Sequence, residues 1–204
     1  IALFQSIIGF CITLFALVFG WFGMLDNLIG DFAENPFYKA SVFFVIIFLI
    51  SELLSLPFSL FNTFVIEEKY GFNKTTIKTY VLDKIKGYLL AAIIGGGLLY
   101  LAILTIDWAG QGYWLWLWTG LSIFMLLNNM FYADFILPLF NKLTQINDGG
   151  LKDEINKFAS KVGYSIKNIY IIDGSKRSTK GNAFFSGIGP RKTIALYDTL
   201  IEKH

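Results

Sequence analysis

NTFVIEEKYGFN, residues 62–73, stands between two long apolar runs and opens the first cluster of charge in the chain. Upstream, residues 40–66 are interrupted only by Glu52 and Pro57; downstream, residues 87–106 carry no charge until Asp107. Each run supplies the roughly 20 apolar residues that a spanning helix needs. Glu67, Glu68 and Lys69 therefore mark a place where the chain leaves the bilayer, and the fold class follows from that reading.

Two further runs qualify, residues 1–25 and 113–140, the latter with Asp134 near its far end. The composition agrees, with 55% hydrophobic residues, 18% aromatic residues and a mean hydropathy of +0.57. Ordinary soluble domains hold roughly 45–50% apolar residues. The expected organisation is a transmembrane helical region over 1–140, with spans at about 1–25, 40–66, 87–106 and 113–140. Trp108, Trp114, Trp116 and Trp118 cluster where the third span hands over to the fourth, and tryptophan favours the headgroup level.

Charge divides the chain again. Residues 1–140 carry a net −3 and residues 141–204 a net +5. The basic excess is too scattered for a nucleic-acid footprint and fits proximity to an anionic lipid surface. Lys69, Lys74, Lys78, Lys84 and Lys86 place the 67–86 loop on the cytosolic side, with the tail after Phe140, by the positive-inside rule. Residues 1–25 lack a basic n-region and run too long for a signal peptide. The chain begins with Ile and reads as a fragment cut at both ends.

After Phe140 the periodicity changes. Leu151, Ile155, Phe158 and Val162 recur at helical spacing from near Asp148, with Gly163 as the stop. KNIYIID (167–173), NAFFSGI (182–188) and TIALYD (193–198) read as strands, with GSKRSTKG (174–181) and GPRK as loop and turn, and a helix opening at Thr199. Residues 141–204 form a cytosolic α/β segment, marginal as an independent core.

Singly, few residues point to chemistry. Glu52 lies inside a span, where charge costs at least ~2.5 kcal/mol, so it faces a cavity or partner, or is neutral near the irregularity before Pro57. Asp134 reads as a helix-end residue bonded to a neighbour. Adjacent Glu67 and Glu68 do not share a helix face, which favours a solvated loop over an acid/base pair. Gly95–Gly97 fall mid-membrane, where small residues permit close helix packing. Lys176, Arg177 and Lys180 read as a solvated loop, with binding of phosphate or an acidic partner as the alternative. Cys11 is the only cysteine and His204 the only histidine, which excludes a disulfide, a catalytic zinc set within these residues, and a Ser–His–Asp triad.

Three stretches in order, LPFSLFNTFVIEEKYGFNK (56–74), YADFILPLFNKLT (132–144) and IIDGSKRSTKGNAFFSGIGPRKTIALYDTLIE (171–202), resemble the CAAX prenyl protease 1 family, integral-membrane zinc metalloproteases of the a-factor-converting type. The resemblance implies a multi-pass α-helical membrane protein, with four spans in this fragment. Its C-terminal helix and roughly three strands would form half of a zincin-like metalloprotease domain. It implies cleavage near the C-terminus of prenylated proteins or peptides, using zinc as cofactor. The ligands lie in an H-E-x-x-H helix and a later Glu outside residues 1–204, so the fragment itself is expected to be inactive and no catalytic or metal residue is assigned. His204 becomes a linker residue. Glu67, Glu68 and Lys69 would organise their loop against the basic protease half.

Asn182, Ala183, Phe184 and Phe185 would bind the substrate backbone by strand addition. The family reads Ser-His-Ser-Asn-Ala-Tyr-Phe there, whereas this chain reads STKGNAFF; a backbone role survives that difference, a side-chain role does not. The partners implied are the bilayer, a peptide or prenylated-protein substrate and the remainder of the protease, with no nucleic acid. Other readings are a quality-control membrane metalloprotease and a non-catalytic scaffold. The abundance of Phe, Ile, Lys and Asn points to a bacterial inner membrane; a eukaryotic relative would sit in the endoplasmic reticulum.

Overall fold

The computed structural model describes residues 2–202; His204 lies outside them. Helix α1 (Ala2–Val18) and helix α2 (Trp21–Gly30) form a pair bent by 64°. The break falls at Gly20, whose φ of +67° favours glycine. The first apolar run is thus a broken helix rather than one straight rod. Helix α3 (Pro36–Phe61) has a well-built start: Asn35 Oδ1 accepts from the amides of Phe37 and Tyr38, with Pro36 at the first helical position.

Helix α3 passes directly into a π-helical segment, Asn62–Glu67. Helix α4 (Ile77–Ala109) then begins ten residues earlier than its apolar run. Thr76 explains the early start, because its hydroxyl accepts from the Thr79 amide. The expected 67–86 loop is therefore helical from Ile77 onward. At 33 residues α4 is about 50 Å long, well beyond the ~30 Å hydrocarbon core.

Helix α5 (Tyr113–Phe131) continues through a second π-helical segment, Tyr132–Ile136, into α6 (Leu137–Phe140). Pro138 has no amide to offer the Asp134 carbonyl, which accounts for irregularity at that turn. By length and composition Pro36–Glu67 and Ile77–Phe140 can cross a membrane, as can the bent pair. The 64-residue stretch Ile77–Phe140 is divided into two limbs by a tight turn at Gly110–Gly112. Lys86 Nζ donates to the Leu139 carbonyl at 2.9 Å, so the chain reverses between them, at Gly110 with φ +53°. Trp108, Trp114 and Trp118, all more than half exposed, flank that reversal. Neither α4 nor α5 has a buried residue, as expected where lipid is the solvent. The close packing expected at Gly95–Gly97 is not found: a Cβ on any of the three meets nothing within 4 Å among the described residues.

After β1 (Leu143–Gln145) come α7 (Gly150–Lys161), β2 (Asn168–Ile172), β3 (Ala183–Ser186), β4 (Thr193–Tyr197) and α8 (Asp198–Ile201). The four strands form one sheet in the order β1-β2-β4-β3, with β2 and β4 parallel and both outer strands antiparallel to their neighbours. The three expected strands, the helix before them and its stop at Gly163 (φ +67°) are present. Strand β1 is an addition.

The chain forms two compact units. One comprises residues 1–70 and 89–114, and the other residues 71–88 with everything from Leu115 onward. The first contains an apolar cavity of about 570 Å³ among α1, α2 and α3. In the second, Ile172, Ala195 and Leu137 form a buried cluster, with Tyr132, Leu143, Phe184 and Tyr197 packed on it. The end of the α5–α6 limb therefore supplies the core for one face of the sheet.

Candidate functional site

Among the described residues strand β3 is an edge, hydrogen-bonded within the sheet only to β4. In an antiparallel pair, residues alternate between exchanging hydrogen bonds and turning their main-chain groups outward. Tyr197 N donates to the Asn182 carbonyl at 2.9 Å, and Phe184 and Ser186 continue that inward set opposite Ala195 and Thr193. Ala183 and Phe185 therefore face outward. The Ala183 amide is taken by Asn182 Oδ1 at 2.9 Å, which leaves Phe185 as the centre of the open edge.

The side chains divide by face. Phe184 packs into the core, its ring edgewise on Tyr132 at 6.3 Å between centroids. Phe185 points to the opposite face, 73% exposed, with Tyr164 edgewise at 6.0 Å. Of the four sequence-predicted residues, Asn182 and Phe184 thus anchor the strand while Ala183 and Phe185 present it.

The ends of β3 are held closely. At its exit Gly187 has φ +93°, and a Cβ there would run into the Arg191 carbonyl oxygen. Ser186 Oγ donates to the Asn129 carbonyl at 3.1 Å. At its entry the Thr199 hydroxyl donates to the Lys180 carbonyl at 2.9 Å, and a Cβ on Gly181 would lie 3.3 Å from the Leu200 backbone.

The loop before β3 is not solvated at Arg177. Its Nε and Nη2 grip Asp83 at 2.8 and 3.0 Å, Nη1 reaches Asn141 Oδ1 at 3.2 Å, and Nη2 also donates to the Phe140 carbonyl. With Lys86 on Leu139, two cations satisfy carbonyls left open where α6 ends. The hydrogen bonds to Asp83 raise the Arg177 pKa above its ordinary value, against the opposing effect of burial. Lys176 and Lys180 remain exposed, Lys180 lying 4.8 Å from the Phe72 ring.

The same loop explains the aromatic-glycine turn of residues 70–73. Lys74 N and the Thr75 hydroxyl both donate to the Arg177 carbonyl, while the Thr179 amide donates to Phe72 O and its hydroxyl to Gly71 O. Gly71 turns at φ +70°. Asp134 is likewise more than a helix end: Arg191 Nη1 meets it at 3.2 Å, with the guanidinium 4.7 Å over the Phe131 ring. Sequence reasoning missed both ion pairs. One signal was available, since Arg177 and Arg191 are the only arginines in the chain and they bracket β3.

Asp198 at the start of α8 accepts from Ser175 N at 2.8 Å, from Thr199 N at 2.7 Å and from the Ser175 hydroxyl. Burial would raise its pKa, but these donors and the Gly174 amide outweigh it and hold the carboxyl below its ordinary value. Among the described residues no three His, Cys, Asp or Glu gather to hold a metal ion. They do not fit a zinc site.

Residues 1–142 match the family described as CAAX prenyl protease N-terminal, five membrane helices, and residues 145–204 match Peptidase family M48. The CAAX prenyl protease 1 homolog of Arabidopsis thaliana is 35% identical over 98% of this chain and 48% of its own length. The human homolog is 36% identical over 92% and 41%, and the Saccharomyces cerevisiae CAAX prenyl protease 1 is 40% identical over 76% and 34%. The crystal structure of S. mikatae Ste24p matches with a TM-score of 0.85 and 33% identity, over 98% of this chain and 48% of that one. The chain thus spans about half, or less, of the length of these relatives. With well over half of its residues inside the first match, it is an integral membrane protein belonging to the CAAX prenyl protease family, and its C-terminal residues 145–204 are similar to peptidase family M48.

Proposed function

We propose that the protein is a membrane-embedded zinc metalloendopeptidase that cleaves peptide bonds near the C-terminus of prenylated CAAX proteins. Residues 182–185 would bind the substrate backbone as an added strand. The observation that carries this reading is the open edge at β3, where Phe185 turns its main-chain N–H and C=O away from β4. An extended peptide can pair with such an edge. The names of the relatives support the substrate class, and membership of peptidase family M48 supports zinc as the metal. In this proposal the zinc ligands come from chain other than residues 2–202, and no catalytic step is assigned to the described residues. The sheet faces the cytosol, in the inner membrane of a bacterium or the endoplasmic reticulum of a eukaryote, in line with the lysines of residues 69–86.

The test uses full-length, zinc-loaded protein in liposomes with a farnesylated CAAX peptide. Phe185→Pro deletes the outward N–H without touching the β4 ladder. One hydrogen bond is worth about 0.5–1.5 kcal/mol, so kcat/KM should fall up to about tenfold. Phe185→Ala keeps the N–H and should stay within about threefold of wild type on the same scale. A wild-type protein that leaves the peptide intact, or a fully active Phe185→Pro, overturns the proposal.

A further inference from the structure

We infer that Arg177 and Arg191 are positioning residues, two ion-paired clamps that hold edge strand β3 from either end in the register an incoming peptide meets. The inference rests on the strand-addition reading above. Among 17 basic residues only these two are arginine. One lies six positions before β3 and the other five after it. Each pairs with an aspartate on a different membrane-derived limb: Arg177 with Asp83 of α4, and Arg191 with Asp134 of the π-helical turn after α5.

The chemistry is specific to arginine. A guanidinium is a planar fork with donors on two edges, whereas an ammonium is a point charge. Arg177 uses both edges, on the Asp83 carboxylate along one and on Asn141 and the Phe140 carbonyl along the other. Its own carbonyl receives Lys74 N and the Thr75 hydroxyl, so loop 71–75 is fixed to the same point. Arg191 combines the carboxylate of Asp134 with the face of Phe131, and its carbonyl abuts Gly187 at the strand exit. Among the described residues, the four-residue strand between them has a partner on one side only. Such a strand frays readily, and a frayed edge cannot template another chain.

The kinetic signature follows from population arithmetic. If loosening a clamp leaves the ordered edge present a tenth of the time, apparent affinity falls tenfold while the bound complex is unchanged. KM rises and kcat holds. Loss of folded protein does the opposite, lowering apparent kcat at constant KM.

The experiment compares Arg177→Lys and Arg191→Lys with wild type in the full-length, zinc-loaded protein on the farnesylated peptide, and adds amide hydrogen exchange at residues 183–186. Lysine preserves charge, and thermal unfolding in detergent checks that both variants fold. Each is expected to raise KM about five- to tenfold with kcat within twofold, and to speed exchange in β3. Asp83→Asn should reproduce the Arg177→Lys effect, and the two together should be no worse than either alone. Wild-type KM and exchange in both lysine variants, or a fall in kcat alone, overturns the clamps while leaving the proposed function intact. A wild type that cleaves no prenylated peptide overturns that function, and the register assignment with it.

Discussion

Gly187 and Asp198 are the two residues whose replacement tests the site's local geometry most directly. At Gly187 a side chain is opposed twice, by φ +93° and by the Arg191 carbonyl. A left-handed backbone costs an L-residue roughly 1–2 kcal/mol before any clash. Gly187→Ala should therefore destabilise the sheet by about 2 kcal/mol or more, measured as a lowered unfolding midpoint in detergent. Asp198 gives a pH signature. Its folded pKa lies below the ordinary 3.8, so its contribution is fully present above that value and is lost as pH falls through the folded one. Asp198→Asn should flatten the acid limb of a stability profile below about pH 4 and leave the shape at neutral pH unchanged; an unaltered acid limb would show that other carboxylates carry it. Neither role was visible from residue type. Arg177 makes the same point, since GSKRSTKG reads as any solvated basic loop and the partner that changes this is Asp83, 94 residues away.

Among elements, legibility followed periodicity. Strands β2 and β4 announce themselves through β-branched and aromatic residues, and α7 through its apolar spacing with Gly163 behind it. Strand β1 is three residues long, too short for any alternation to register. Its existence is decided by pairing with β2. The π-helical segments were equally hidden, because a wider turn leaves no mark on hydropathy. The early start of α4 was legible only as Thr76 preceding a polar turn, and the run of lysines there argued for a loop instead. For β3 the residues themselves marked a strand, while its place at an edge was implied only by the family resemblance. That it is an edge depends on β4, later in the chain, inserting between it and β2.

For the molecule as a whole, the split between a hydrophobic, net-acidic first part and a basic last part was readable from composition alone. The sidedness proposed above has a direct check. With Cys11 replaced, Lys176→Cys should react with a membrane-impermeant maleimide only from the cytosolic side, and Gln111→Cys only from the other. The reverse pattern would invert the topology and remove the sheet from the compartment where prenylated proteins are made. The helices were legible because lipid demands length and apolarity; the sheet's attachment to them was not, because it joins residues far apart in sequence, through the Leu137–Ile172–Ala195 core and the Arg177–Asp83 and Arg191–Asp134 pairs.

The strand order also sets a schedule for biosynthesis. The central β4 is the last of these four strands to be made, at residues 193–197, yet it separates β2 from β3. No ribosome-bound intermediate shorter than that can complete the sheet. At about 5–20 residues per second, the interval of 94 residues between Asp83 and Arg177 corresponds to roughly 5–20 s during which the aspartate has been translated and its arginine has not. Strand β2 waits far less: the 25 residues from Asn168 to Thr193 take about 1–5 s at the same rate, and for that time it is unsheltered along one side.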